Sequence, residues 1–356
     1  MKSTERVLGW DLLRGLCAFC VAGYHLLYWQ EITAIHTFGS YGVYLFFVLS
    51  GASLSYTYAD AIASRRFSFP RFLWARYLRL APLYVGLMVL VFPWKLMQLG
   101  LSTELFISYL TNATFLFGFY NPANHALLVG GWSLGIEVIF YLLFPFLMMS
   151  FRHRATTVLL FGALLILQAT WIGITVAQPD GYQKNHLIYY QAPAFVAYFM
   201  GGCLIGVIRH NIQFKNLIPE NFGIGGIMCG FLLLWMLNPL KAGDELLGWR
   251  GLSSAILCFV MVFFASRVEL NNNFVGLAHK VGDATYGLYL WHPVIFFGCT
   301  LAVFPRLGIS EPTQWALCAR IAFGGFVIAL AFGLALASEK YFEKPLRLWA
   351  KPKIQG

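Results

Sequence analysis

The chain has 356 residues, 59% of them hydrophobic and only 11% charged, with a mean hydropathy of +0.67. A soluble globular domain carries about 25% charged residues, so the composition excludes that class and predicts an all-α, polytopic membrane protein. The formal charge of +10 would suit a nucleic-acid partner, but the placement of the positive residues assigns it to membrane topology, and no nucleic-acid partner is expected.

The first apolar run, Gly9 to Trp29, is long enough to span a bilayer yet contains Asp11, Arg14 and His25. Each ionisable group inside a span costs about 2.5–3.5 kcal/mol on insertion scales, so each needs a partner or a polar cavity. Arg14 and His25 are eleven positions apart, which at about 100° per residue returns to the same helix face, roughly 16 Å along the axis. Lys2 and Arg6 precede the run as in a signal peptide. The run is long and ends without a small-residue cleavage site, so it reads as a retained span.

Apolar runs then recur at roughly 39–61, 77–96, 132–150, 155–177, 190–208, 222–239, 249–266, 284–304 and 314–338, giving about ten transmembrane helices. The connection 97–131 holds a shorter apolar patch, Leu105 to Phe119, that reads as interfacial or re-entrant. With ten spans and both termini cytoplasmic, eighteen of the 25 Lys and Arg fall inside. Only Lys95, Lys184, Lys241, Arg250 and Arg306 fall outside, while Arg14 and Arg320 lie within spans. The inner group includes Lys2, Lys215, Lys351 and Lys353. An eleventh span would invert the basic connection at 152–154 and the basic C-terminus, against the positive-inside rule. No linker divides the chain, so 1–356 reads as a single integral-membrane domain. Gly202 and Gly206, then Gly226 and Gly230, have the small-xxx-small spacing of close helix pairs. Seven cysteines, mostly in apolar runs, give no disulfide framework, and Cys17-x-x-Cys20 reads as packing.

With the topology set, His25 lies roughly 6 Å from the outer end of its span and Glu137 roughly 8 Å from the outer end of the fourth. A carboxylate at the depth of an imidazole is a way to orient and charge-stabilise a general base, so His25 and Glu137 are the candidate catalytic pair. Asp11 and Arg14 are spaced for an i,i+3 ion pair, which leaves Arg14 with further N–H groups for an anion from the cytoplasm. Arg65, Arg66, Arg71, Arg76 and Arg79 form a basic connection. Arg76 and Arg79, beside Pro82, are placed to grip a polyphosphate. His292 precedes Pro293, whose kink frees a carbonyl for a nearby donor. Arg320 is spaced to snorkel or to meet Glu137. No His, Cys and acidic cluster has metal-ligand spacing, so no metal is expected.

Six blocks occur in one order: Arg14-x10-His25, GVYLFFVLSG at 42–51, ARYLRLAPLY at 75–84, WSLGIEVIFYLLFP at 132–145, YGLYLWHP at 286–293 and EKPLR at 343–347. That order resembles the acyltransferase 3 family of integral-membrane acyltransferases. The resemblance implies a cytosolic acyl-coenzyme A donor, usually acetyl-CoA, and transfer to a hydroxyl of a glycan or lipid-linked sugar at a bacterial inner membrane. Lipopolysaccharide O-antigen and capsule are typical acceptors, and acceptor binding would then involve the outer loops, 97–131 above all, with His125 and the glycines at 130–131 as candidates. It further implies that Arg14, Arg76 and Arg79 hold the CoA phosphates while His25 serves as general base or transient acyl carrier. The chain departs from the family where Tyr44 replaces an acidic residue and Tyr77 a basic one. It resembles the stand-alone form, without the C-terminal SGNH domain of other members. The competing reading is an exporter of a polar solute or acyl group. A lipid-sugar glycosyltransferase would want an acidic pair in the first outer loop, which has only Glu31.

Overall fold

The computed structural model describes residues 6–176, 186, 188–210 and 222–350. Lys2, Lys184, Lys215, Lys351 and Lys353 of the topology argument lie outside them. The described residues contain helices and no strand. In chain order the helices are α1 (Leu8–Trp29), α2 (His36–Ala63), α3 (Phe69–Leu99), α4 (Thr103–Ala113), α5 (Gly131–Ser150) and α6 (Arg154–Val176). After them come α7 (Val196–His210), α8 (Phe222–Met236), α9 (Gly248–Ala265), α10 (Asn272–Phe297), α11 (Leu317–Ser338) and α12 (Lys344–Trp349).

Eight helical stretches among the described residues are long and apolar enough to cross a membrane. The two shorter apolar helices, α7 and α8, have 15 residues each and stand where the sixth and seventh spans are expected. α4 has eleven residues, about 16 Å of helix, which is short of a bilayer core of about 30 Å. The connection 97–131 therefore adds no crossing through α4.

Several boundaries differ from the sequence reading for local reasons. α3 begins at Phe69 rather than near 77, because Pro70 stands at a helix-starting position, where its missing N–H costs nothing. Arg71, Arg76 and Arg79 are thus helical rather than part of a connection. Charged residues depress a hydropathy window without stopping a helix. α10 begins at Asn272, passes through Pro293, and gives way at Gly298–Val303 to a π-helical segment.

The chain clusters into two compact units, Met1–Phe67 with Leu143–Thr285, and Ser68–Leu142 with Tyr286–Gly356. In the first unit α2 and α7 pack backbone to backbone. A Cβ at Gly202 would lie 2.0 Å from the Val48 carbonyl oxygen, and one at Gly206 would lie 2.0 Å from Ser55 Oγ. The small-xxx-small spacing thus marks a real close approach. Trp10 donates to the Val262 carbonyl at 3.0 Å, tying α1 to α9.

In the second unit Asn112, fully buried, pins the 97–131 connection. Its Oδ1 accepts from Tyr84 Oη at 2.7 Å and Leu127 N at 2.9 Å. Its Nδ2 donates to the carbonyls of His125 at 2.7 Å and Ser108 at 2.9 Å. All four capacities of the amide are used. Tyr77, the departure from the expected basic residue, donates to the Ala113 carbonyl at 3.1 Å and so also holds this segment.

Candidate functional site

α1 runs unbroken for 22 residues, so Arg14 and His25 keep the register that puts them on one face. Asp11 is 4% exposed, and the expected i,i+3 pair is present, with Arg14 Nη1 to Asp11 Oδ1 at 3.2 Å. Arg14 Nη2 donates to the Leu49 carbonyl at 3.1 Å and to Ser53 Oγ, both on α2. Beyond the sequence expectation, Arg6 joins this group: its Nε pairs with Asp11 Oδ2 and its Nη2 with Asp283 Oδ1 at 2.8 Å. Burial acts to lower the Arg6 pKa, but the two carboxylates outweigh it and raise it above the ordinary arginine value, so Arg6 stays charged. A side chain at Gly282 would meet Asp11 Cβ at 2.7 Å, so the small residue lets α10 approach this cluster. The result is a row of alternating charge, Asp283–Arg6–Asp11–Arg14.

At the other end of α1, His25 is half-buried and stacks on Trp29, with ring centroids 4.8 Å apart and planes 3° from parallel. Tyr24 tilts against it at 5.3 Å. Tyr44 is fully buried and its hydroxyl meets that of Tyr189.

The second unit carries the remaining candidates. Glu137, half-buried on α5, accepts from Tyr141 Oη at 2.6 Å. Arg76 and Arg79 on α3 are near enough to act electrostatically on that phenol, as is Glu137. Arg76 also lies over the Phe72 ring at 5.9 Å. Tyr286 donates to the Leu80 carbonyl at 2.5 Å and feels Glu343 and Glu137. Glu343, 3% exposed, accepts from Ser338 Oγ at 3.0 Å and faces Arg79 and Arg347 electrostatically, while Arg347 pairs with Glu339. Three of the sequence blocks, those at 75–84, 286–293 and 343–347, and residues 132–142 of a fourth therefore meet within this unit. The sequence reading missed Tyr141, Tyr286 and Glu343. Tyr141 was findable as the i+4 neighbour of Glu137, whereas Tyr286 and Glu343 depend on tertiary packing.

His292 is fully buried, and its Nδ1 donates to the Leu288 carbonyl at 3.0 Å. The ring also meets the carbonyl of Tyr289, four residues before Pro293 and deprived by it of an N–H donor. His292 thus repairs its own helix. Arg320 lies half-buried in the first turn of α11. Gly130 and Gly131 are closely packed: the Gly130 carbonyl accepts from Tyr289 Oη at 2.9 Å, and a Cβ at Gly131 would lie 2.7 Å from Tyr84 Oη. His125 ends a short helical turn, tilted on Tyr120 at 4.9 Å. Among the described residues no group of three or more His, Cys, Asp or Glu could hold a metal ion.

The helices and these embedded acids, bases and cations define a multi-pass membrane protein with ionisable groups built into its apolar helices. Residues 7–340 match the acyltransferase 3 model, described as an acyltransferase domain, and the chain belongs to that family. It is 26% identical to the peptidoglycan O-acetyltransferase OatA of Listeria monocytogenes, over 98% of this chain and 57% of that protein. The O-acetyltransferase OatA of Staphylococcus aureus is 26% identical over 80% of this chain and 50% of its own length. The exopolysaccharide production protein ExoZ of Rhizobium meliloti is 28% identical over 75% of this chain and 80% of its own. The chain thus spans about half the length of the OatA relatives. No solved structure matches it.

Proposed function

We propose that the chain is a membrane O-acyltransferase that moves acetyl from cytosolic acetyl-CoA to a hydroxyl of a bacterial envelope polysaccharide or its lipid-linked precursor. The observation that carries this reading is α1 itself: one unbroken helix presenting a cation, Arg14, and an imidazole, His25, on one face, in a chain of the acyltransferase 3 family. Relatives named for peptidoglycan O-acetylation and exopolysaccharide production support a glycan acceptor, of which lipopolysaccharide O-antigen and capsule are further chemical equivalents.

In this reading ten helices span the inner membrane with both termini in the cytoplasm, and both compact units belong to one acyltransferase domain. Arg14, Arg76 and Arg79 take the phosphates of CoA, with Asp11 holding Arg14 in place. His25 either removes the proton of the acceptor hydroxyl or carries the acyl group briefly. The depth match in the sequence assigns Glu137 as the carboxylate that orients it. His292, which bonds its own helix, and Arg320 are further candidates in the membrane-embedded part of the chain.

The test is stoichiometry. Purified chain in lipid vesicles, supplied with acetyl-CoA and its own cell's polysaccharide, should release one CoA for each alkali-labile acetyl gained by the glycan. Acetyl-CoA consumed without glycan acetylation, or no consumption at all, would contradict the reading, and the latter would favour the exporter.

A further inference from the structure

At the Trp29 end of α1 two parallel ring stacks run side by side. Tyr24 lies on Tyr28, with centroids 5.7 Å apart and planes 18° from parallel, beside the stack of His25 on Trp29. The i,i+4 spacing gives each pair a common face. His36, the first residue of α2, turns its ring edge to Tyr24 at 6.0 Å and Tyr28 at 6.5 Å. The Tyr28 ring thus contacts the first residue of α2, yet it is 51% exposed.

A second observation concerns Glu245, which is 2% exposed. Its Oε1 accepts from Ser40 Oγ at 2.8 Å and its Oε2 from Gly243 N at 2.7 Å. It lies near enough to act electrostatically on the Tyr24 hydroxyl, as do Tyr28 and Tyr190. A carboxylate has about four acceptor positions, so these two bonds leave it capacity for more.

An interfacial aromatic belt accounts for an exposed tyrosine at a helix end. It gives no reason for a buried carboxylate and a histidine edge in the same cluster. Flat aromatic faces with polar tips and a fixed acceptor match a pyranose ring, whose C–H face stacks on an aromatic ring while its hydroxyls bond at the rim. We propose that Tyr24, Tyr28, His36 and Glu245 form the subsite for a pyranose of the acceptor glycan, with Tyr28 as the stacking platform. This rests on the acyl-transfer reading, because an acceptor hydroxyl delivered to His25 arrives beside this cluster.

The test uses the full chain in nanodiscs, without donor, titrated calorimetrically with oligosaccharides. These come from the source cell's own envelope polysaccharide, stripped of acetyl groups with alkali. Tyr28→Leu should weaken binding about tenfold and Tyr28→Phe less than twofold, because Phe keeps the ring. In a second run acetyl-CoA is added, and wild type should then acetylate the bound oligosaccharide. Equal binding by wild type and Tyr28→Leu, equal losses for Leu and Phe, or no binding by wild type would each overturn the subsite. Normal ring-dependent binding without any acetyl transfer by wild type would uphold the subsite and overturn the acyl-transfer reading instead.

Discussion

Replacing Asp11 by Asn removes the charge that two arginines share. The Asp11 side chain is 5% exposed, against 17% for Arg14 and 43% for Arg6. Removing one partner of a buried ion pair costs about 3–5 kcal/mol, because the other charge is left uncompensated. Here Arg14 keeps the Leu49 carbonyl and Ser53 Oγ, and Arg6 keeps Asp283, so a loss near the lower end, about 3 kcal/mol, is expected. Asp283→Asn breaks one pair whose side chains are 43% and 42% exposed. Pairs that exposed contribute about 0.2–1 kcal/mol. The two substitutions should therefore differ by about 2 kcal/mol in denaturant unfolding of the detergent-solubilised chain, followed by far-UV circular dichroism. If Asp283→Asn costs as much as Asp11→Asn, the row of alternating charge is not anchored at Asp11 and the reasoning fails.

Three further outcomes follow from the packing and the site. Gly206→Ala places a Cβ 2.0 Å from Ser55 Oγ and 2.2 Å from the Ala52 carbonyl, so overpacking should cost about 1–3 kcal/mol. Gly162→Ala, with open space around it in α6, should instead gain up to about 1 kcal/mol of helix propensity, and thermal unfolding separates the two signs. Asn112→Ala strands buried partners of four hydrogen bonds, costing at least about 2 kcal/mol, and should speed hydrogen exchange across 103–131 relative to α2. Arg76→Gln and Arg79→Gln should each raise KM for acetyl-CoA about tenfold, the equivalent of about 1.4 kcal/mol, with kcat little changed. A fall in kcat at constant KM would place these arginines in the transfer step rather than in donor binding.

Much of the helical plan was legible because lipid imposes it: long apolar runs, basic residues clustered between them, and small residues four apart where helices touch. The start of α3 was not, since three arginines on a helix look like a loop to a hydropathy window. Within the site, Asp11–Arg14 was readable because helical spacing alone brings the groups together. Arg6–Asp283 and Tyr286–Leu80 were not, because each joins segments more than 200 residues apart and no local pattern encodes such pairing. His292 shows the limit in the other direction. An intramembrane histidine is a site candidate on chemistry alone, and its bonds to the Leu288 and Tyr289 carbonyls become visible only in the fold.

The central claim is that acyl transfer passes through His25, and the most direct measurement follows labelled acetyl from acetyl-CoA into membrane glycan. Wild type and His25→Ala would be compared at equal expression and with equal unfolding profiles. The account predicts labelled glycan from wild type and none above background from His25→Ala. Equal labelling by both would contradict it, leaving the imidazole on Trp29 as a packing residue and the chemistry elsewhere in the chain.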